Sequence, residues 1–243
     1  MKTIITSFRA LALLLMLSTS TLLRASSDDF TKVDLFLGAD LVSRYVWRGL
    51  LLGNGASIQP TMGITYKGLS FGSWASYSLS HSAFQEVDLY LYYSIGSVTL
   101  GINDYYNPND SLGINNDYFK FGKSPTLHSF EPFISVSEIG GTGFSTTAGV
   151  FVYGNDRDEN GENLYSSYLE LSYATSIKDY DVNFFGGATL GNGYYADKAS
   201  VVNLGVSLSK EIKVTKNFAI PCKGSFIVNP NTQNVFFVFG FTF

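Results

Sequence analysis

From Val33 to Phe243, apolar and polar residues alternate in one segment after another. A period of two is met by an extended strand whose faces lie in different environments. The closing run is the sharpest case: Val235, Phe237, Phe239, Phe241 and Phe243 share one face, with Asn234, Gly240 and Thr242 among the residues opposite. In water such a strand is an aggregation hazard, whereas against lipid it is a natural wall. Outside the N-terminal region no apolar stretch reaches the ~20 residues a membrane helix requires. Lipid leaves no backbone donor or acceptor unpaired without large cost, so strands that enter it must close into a barrel.

The N-terminus is consistent with export. Lys2 and Arg9 precede an apolar run, Ala10 to Leu17, that is too short to span a bilayer as a helix. We expect a signal peptide over residues 1–25, with cleavage after Ala25, and one barrel domain over residues 26–243. No cysteine lies nearby, so no lipoprotein anchor is expected. Loss of residues 1–25 takes the formal charge from −4 to about −7, which argues against a nucleic-acid partner. The single Cys excludes an internal disulfide scaffold, while 16 Tyr, 20 Phe and 24 Gly suit a membrane barrel. The ending on Phe resembles the C-terminal signal by which bacterial barrel-insertion machinery recognises its clients.

About twelve strands can be read along the chain, and an even number brings both termini to the periplasmic side. The first is expected from Val33 to Arg48, followed by Ser57 to Lys67, Leu69 to Ser80, Gln85 to Ile95, and onward to the closing run. Brief turns are expected near Gly68, Gly96, Gly140, Ile177 and Glu211, and longer outer loops between them, the longest from Asn107 to Thr126. That long loop is expected to fold over or into the barrel. Tyr45, Trp47, Tyr106, Tyr153, Tyr165 and Tyr195 would form an outer aromatic girdle, with Phe36, Tyr66, Tyr93 and Phe243 forming the inner one. Cys222 falls on lipid-facing parity.

Three motifs stand in the N-terminal third: Ser43-Arg44-Tyr45-Val46-Trp47-Arg48-Gly49, then Gly72-Ser73-Trp74-Ala75-Ser76, then Glu86-Val87-Asp88-Leu89-Tyr90. Together they resemble the TorF family of porins, also called Gcw_chp, over residues 43 to 93. The resemblance implies an outer-membrane porin and names no substrate.

Strand parity turns Arg44 and Arg48 inward, with Asp34, Asp40, Glu86, Asp88, Glu131, Glu170 and Asp181. These are the candidate pore-lining residues. Cations facing carboxylates across water would sort solutes by charge, and the acidic excess favours cations or neutral solutes. The same residues could instead brace a narrow barrel as ion pairs. The function expected is passive diffusion of small solutes through the outer membrane. The alternatives are a non-conducting barrel acting as receptor, adhesin or structural protein, and, less favoured, a lipid hydrolase. Partners are then membrane lipid, small solutes and the insertion machinery that reads the strand ending in Phe243. No enzyme activity, cofactor or metal is expected. Each histidine, His81 and His128, is followed by Ser, and strand neighbours face opposite ways, so both histidines are expected as exposed loop residues. The loop Asp156-Arg157-Asp158-Glu159-Asn160-Gly161 matches the start of a calcium loop but has Ser167 at the twelfth position, so a solvated acidic loop is expected. Composition leaves the oligomeric state open.

Overall fold

The computed structural model describes residues 33–80, 84–108, 116–122, 126–216 and 218–243. The expected signal peptide and His81 lie outside the described residues. Fifteen strands follow in order: β1 (Asp34–Val42), β2 (Tyr45–Trp47), β3 (Leu50–Gly53), β4 (Ser57–Tyr66), β5 (Leu69–Ser78), β6 (Gln85–Ile95), β7 (Val98–Tyr106), β8 (His128–Val136), β9 (Phe144–Val150), β10 (Tyr153–Gly154), β11 (Ser167–Ile177), β12 (Tyr180–Thr189), β13 (Ser200–Lys213), β14 (Ala219–Asn229) and β15 (Asn234–Thr242). Twelve of them form a closed antiparallel barrel in which each strand pairs with its neighbours in the wall. β10 is a two-residue extension paired with β8, and β2 pairs only with β3.

Closure joins β1 to β15 through Asp40↔Thr242, Leu41↔Phe241 and Val42↔Gly240, extended by reciprocal Ala39–Phe243 bonds of 3.1 and 2.9 Å. Alternation appears as an inside and an outside, broken at the bulge between Gly187 and Ala188, opposite which Val202 and Asn203 are both buried. Leu35 and Leu37 are 74% and 77% exposed, and Phe237 is 64% exposed, while Phe36 and Phe236 between them turn into the lumen. The apolar surface is therefore an outer belt, and the packed interior is a plug of aromatic and polar side chains inside the wall. An outward apolar belt on a closed barrel is the architecture of a barrel membrane protein. Among the described residues no helix is long and apolar enough to cross a membrane.

Short turns gather at one end. Lys67 (φ 50°) and Gly68 (φ 81°) make a two-residue turn in which both residues take the left-handed conformation, the pattern of a type I′ hairpin. A single 3₁₀ turn at Ile139–Gly141 links β8 to β9. Long connections gather at the other end, as the sequence predicts.

The first strand departs from expectation. It stops at Val42, and the chain re-enters the barrel as the β2–β3 hairpin, so Tyr45 and Trp47 pack in the lumen rather than in an outer girdle. Tyr195 is likewise interior, and Phe36 points inward against Gly63. Tyr66, Tyr93, Tyr165 and Phe243 are outward and exposed, as expected. The cause is the Arg48-Gly49 turn (φ 49° and 79°), which has the same geometry as Lys67-Gly68 and folds the segment back on itself.

Candidate functional site: the lumen and its inward hairpin

Three walls hold the hairpin by its side chains. Tyr45 lies against Trp74 of β5, with ring centroids 5.4 Å apart. Val46 packs with Phe185, Ile227 and Phe236 of β12, β14 and β15. Trp47 contacts Tyr105 of β7 at 5.5 Å and Tyr195 of the β12–β13 loop at 5.7 Å. Three-sided contact of this kind fixes one orientation, because each face of the hairpin meets a different wall.

At the tip, Arg48 is buried and fully engaged. Its guanidinium donates to both carboxylate oxygens of Glu131 at 2.6 and 2.9 Å, and to the Tyr195 hydroxyl at 2.5 Å. It lies 4.4 Å from the ring centroids of both Trp47 and Tyr168. A forked donor matches a carboxylate in two parallel bonds, and desolvated cation–π contacts add roughly 2 kcal/mol each. Glu131 also accepts from Tyr105 at 2.7 Å, which continues through Asn103 to Tyr92. On the other side Tyr168 donates to Glu170, and Asn203 donates to both. Asn229 donates to the Gly49 carbonyl at 3.1 Å.

Gly49 is required twice over. Its φ is +79°, and a Cβ there would collide with the Val202 carbonyl oxygen. Gly49→Ala should destabilise the fold by on the order of 2–4 kcal/mol, combining left-handed strain with overpacking. Thermal unfolding in detergent, followed by circular dichroism, should show a clearly lower midpoint than for Gly161→Ala, a loop glycine at the similar φ of +81° but with open space around it.

The other candidate residues divide by height along the barrel. Asp40 is buried and accepts from Thr242 at 2.6 Å. Glu86 and Asp88 are buried side by side on β6, and Glu86 bonds the Tyr45 side chain, so the second and third motifs meet the hairpin of the first. Among the described residues no cation pairs with either carboxylate. Asp34 and Asp181 sit exposed at the short-turn end, where Asp181 accepts from Ser176, so neither lines a constriction. Arg44 belongs to the bend before β2 and is half-buried; strand parity does not apply to it because β1 has already ended.

Two loop expectations also change. His128 is fully buried on the outward face of β8, with Nδ1 2.8 Å from Asp104 and Nε2 2.7 Å from the Tyr118 carbonyl oxygen. The described part of the long loop thus lies over the outer wall, and it is the β2–β3 hairpin that enters the lumen. Ser129 shares the inward parity of Glu131, so the His-Ser neighbours do face apart. In the acidic loop, Asp156 turns inward to accept from the backbone and hydroxyl of Ser166 at 2.8 and 2.5 Å. Asp158 accepts from the Asn160 and Glu162 amides, and the Glu162 amide foremost holds its carboxyl below the usual range. Among the described residues no group of His, Cys, Asp and Glu is arranged to hold a metal. Beside the hairpin, burial first and then the charges of Glu86 and Asp156 push the Tyr194 hydroxyl up to about 12.

Sequence reasoning missed Tyr105, Tyr168, Asn203 and Lys223 as lumen groups. Parity could have found Lys223, since it neighbours the outward Cys222. The hairpin had a weaker signal, the Arg48-Gly49 dipeptide that mirrors Lys67-Gly68.

No family model matches the chain, and no curated protein matches it. Among solved structures it is similar to BamA from Haemophilus ducreyi lacking POTRA domains 1–3, at 13% identity and a TM-score of 0.39, over 81% of this chain and 41% of that one. The chain therefore spans less than half of the BamA chain it matches. Its class, a twelve-stranded membrane-type barrel, is defined by its own strand pairing.

Proposed function

We propose that the chain is an outer-membrane barrel that passes small solutes by diffusion through a lumen narrowed by its own inward hairpin. The observation that supports this reading is the chemistry of the inner wall. In a sealed barrel, buried charges recover their desolvation cost only with good partners. Here the lumen carries Asp40, Glu86, Asp88, Glu131 and Glu170 against Arg48 and Lys223. Among the described residues no cation pairs with Glu86 or Asp88, and such carboxylates call for water or passing cations. The excess of carboxylates favours cations and neutral solutes over anions. The resemblance of residues 43 to 93 to TorF porins points the same way, and the strand ending in Phe243 is the segment we assign to recognition by insertion machinery.

A second reading, a non-conducting barrel, is favoured by the Arg48–Glu131 lock, which plugs the lumen with a rigid network. Purified protein in a planar bilayer separates the two. Stepwise conductance in KCl, with a reversal potential toward cation preference, is the expected result. Folded protein that inserts and yields no steps would overturn the channel reading in favour of the second.

A further inference from the structure

Of the two cations that the described residues place in the lumen, Arg48 on the hairpin and Lys223 on β14, one is spoken for. Arg48 is bound to Glu131 and Tyr195, and its charge is largely neutralised where it stands. Lys223 differs. It lies on β14 at the inward parity of Ser225 and Ile227, two inward positions toward the short-turn end from Ile227, which touches the hairpin. That places it roughly 13 Å beyond the hairpin contact at ~3.3 Å per residue. Its cross-strand neighbours are Ser209 on β13 and Gly240 on β15, both small, so the long side chain has room to extend into the lumen.

Among the described residues no hydrogen bond or ion pair reaches its ammonium. The opposite charges that act on it, through space, are Asp40 and Glu170. Both already have other partners, Thr242 for Asp40, and Tyr168 and Asn203 for Glu170. An ammonium has three donors and no acceptor, and leaving it both dry and unpaired is among the costliest states a side chain can adopt. Water is what remains to satisfy it.

We infer that Lys223 is the uncommitted strand cation of the lumen among the described residues: a hydrated cation on the short-turn side of the hairpin that sets the ion preference of the passage. This rests on the channel reading for its consequence but not for its chemistry. A fixed positive charge repels cations and holds anions at its level, partly offsetting the carboxylates above it. Arg44 and Arg48, the cations that parity singles out, do not fill this role. Arg48 is locked in pairs, and Arg44 lies outside the strand.

Two measurements test the inference separately from the channel reading. In planar bilayers under a KCl gradient, Lys223→Gln should raise the K⁺ over Cl⁻ permeability ratio several-fold while leaving step size of the same order. Lys210→Gln, at the short-turn end beside Asp179, should leave the ratio unchanged. A ratio unmoved by Lys223→Gln in a conducting protein overturns the inference and leaves the channel intact. The second measurement needs no conductance. In the Cys222→Ser background, Lys223→Cys should react with a charged, water-soluble methanethiosulfonate reagent in folded protein. Leu204→Cys in the same background, on the outward belt, should resist the reagent in lipid. A thiol at position 223 that stays unreactive would show that water does not reach it and would overturn the inference, whether or not the barrel conducts.

Discussion

Replacing Ser43–Ala56 by an Asn-Gly turn should raise the single-channel conductance severalfold, or create conductance where the intact protein shows little. Val42 and Ser57 are directly paired, so a two-residue hairpin closes β1 to β4 in their native register, losing at the wall's rim the Ser43 hydroxyl that accepts from the Phe239 amide. What leaves the lumen is the whole set of Tyr45, Val46, Trp47 and Arg48, which spans it from β5 across to β8 and β14. Pore conductance follows open cross-section, and of the groups packed on the hairpin only Tyr195, from the β12–β13 loop, stays behind without its partners Trp47 and Arg48. The variant should also be easier to unfold, since three large buried side chains are lost with the hairpin. Planar-bilayer recording on the refolded variant reads the outcome. Unchanged small steps would mean that the passage is limited elsewhere.

Arg48→Ala is the second large effect. Truncating one partner of a buried ion pair leaves the other charge uncompensated, at a cost of roughly 3–5 kcal/mol. Here Glu131 would retain only the Tyr105 hydroxyl, and Tyr195, Trp47 and Tyr168 would lose their shared contact. The double variant Arg48→Met with Glu131→Leu should recover most of the loss, because matched apolar groups replace the pair without stranding a charge. Denaturant unfolding in detergent, followed by tryptophan fluorescence, suits the test well. The chain has two tryptophans, and both Trp47 and Trp74 lie in this cluster. If the single variant unfolds at the wild-type denaturant concentration, the pair contributes nothing to stability and the hairpin is held by its aromatic contacts alone.

These two predictions bear on different properties of one feature. The deletion asks whether the hairpin fills the passage, and the substitution asks what keeps it there. A hairpin held by Arg48 but passable at its edges would show large steps after deletion and a lowered stability after Arg48→Ala. A seal made by packing alone would show the first effect without the second. If the barrel conducts, Glu86 and Asp88 beside Tyr45, with no cation paired to them among the described residues, mark the side of the hairpin where an edge passage would run.

The alternation of Val235 to Phe243 determined, without reference to any other residue, that Phe237 and Phe239 face outward, and both are exposed. The same rule determined the strand count, the short turns at Gly68 and Gly96, and the inward positions of Asp40, Glu86, Asp88, Glu131 and Glu170. It could do so because the difference between lumen and lipid acts on each strand separately, and the record of that difference is local. Only the tertiary structure decided that Tyr45 to Gly53 turns inward, that Arg48 is locked rather than solvated, and that the described part of the long loop lies on the outer wall. The partners that hold the hairpin are distant in the chain: Glu131 lies 83 residues from Arg48, Tyr195 lies 147 away, and Asn229 lies 180 from Gly49. A period of two carries no information about which strands the closed wall brings face to face. Lys223 shows both halves at once: parity determines that it points inward, and only its surroundings in the closed barrel decide that no described residue bonds its ammonium.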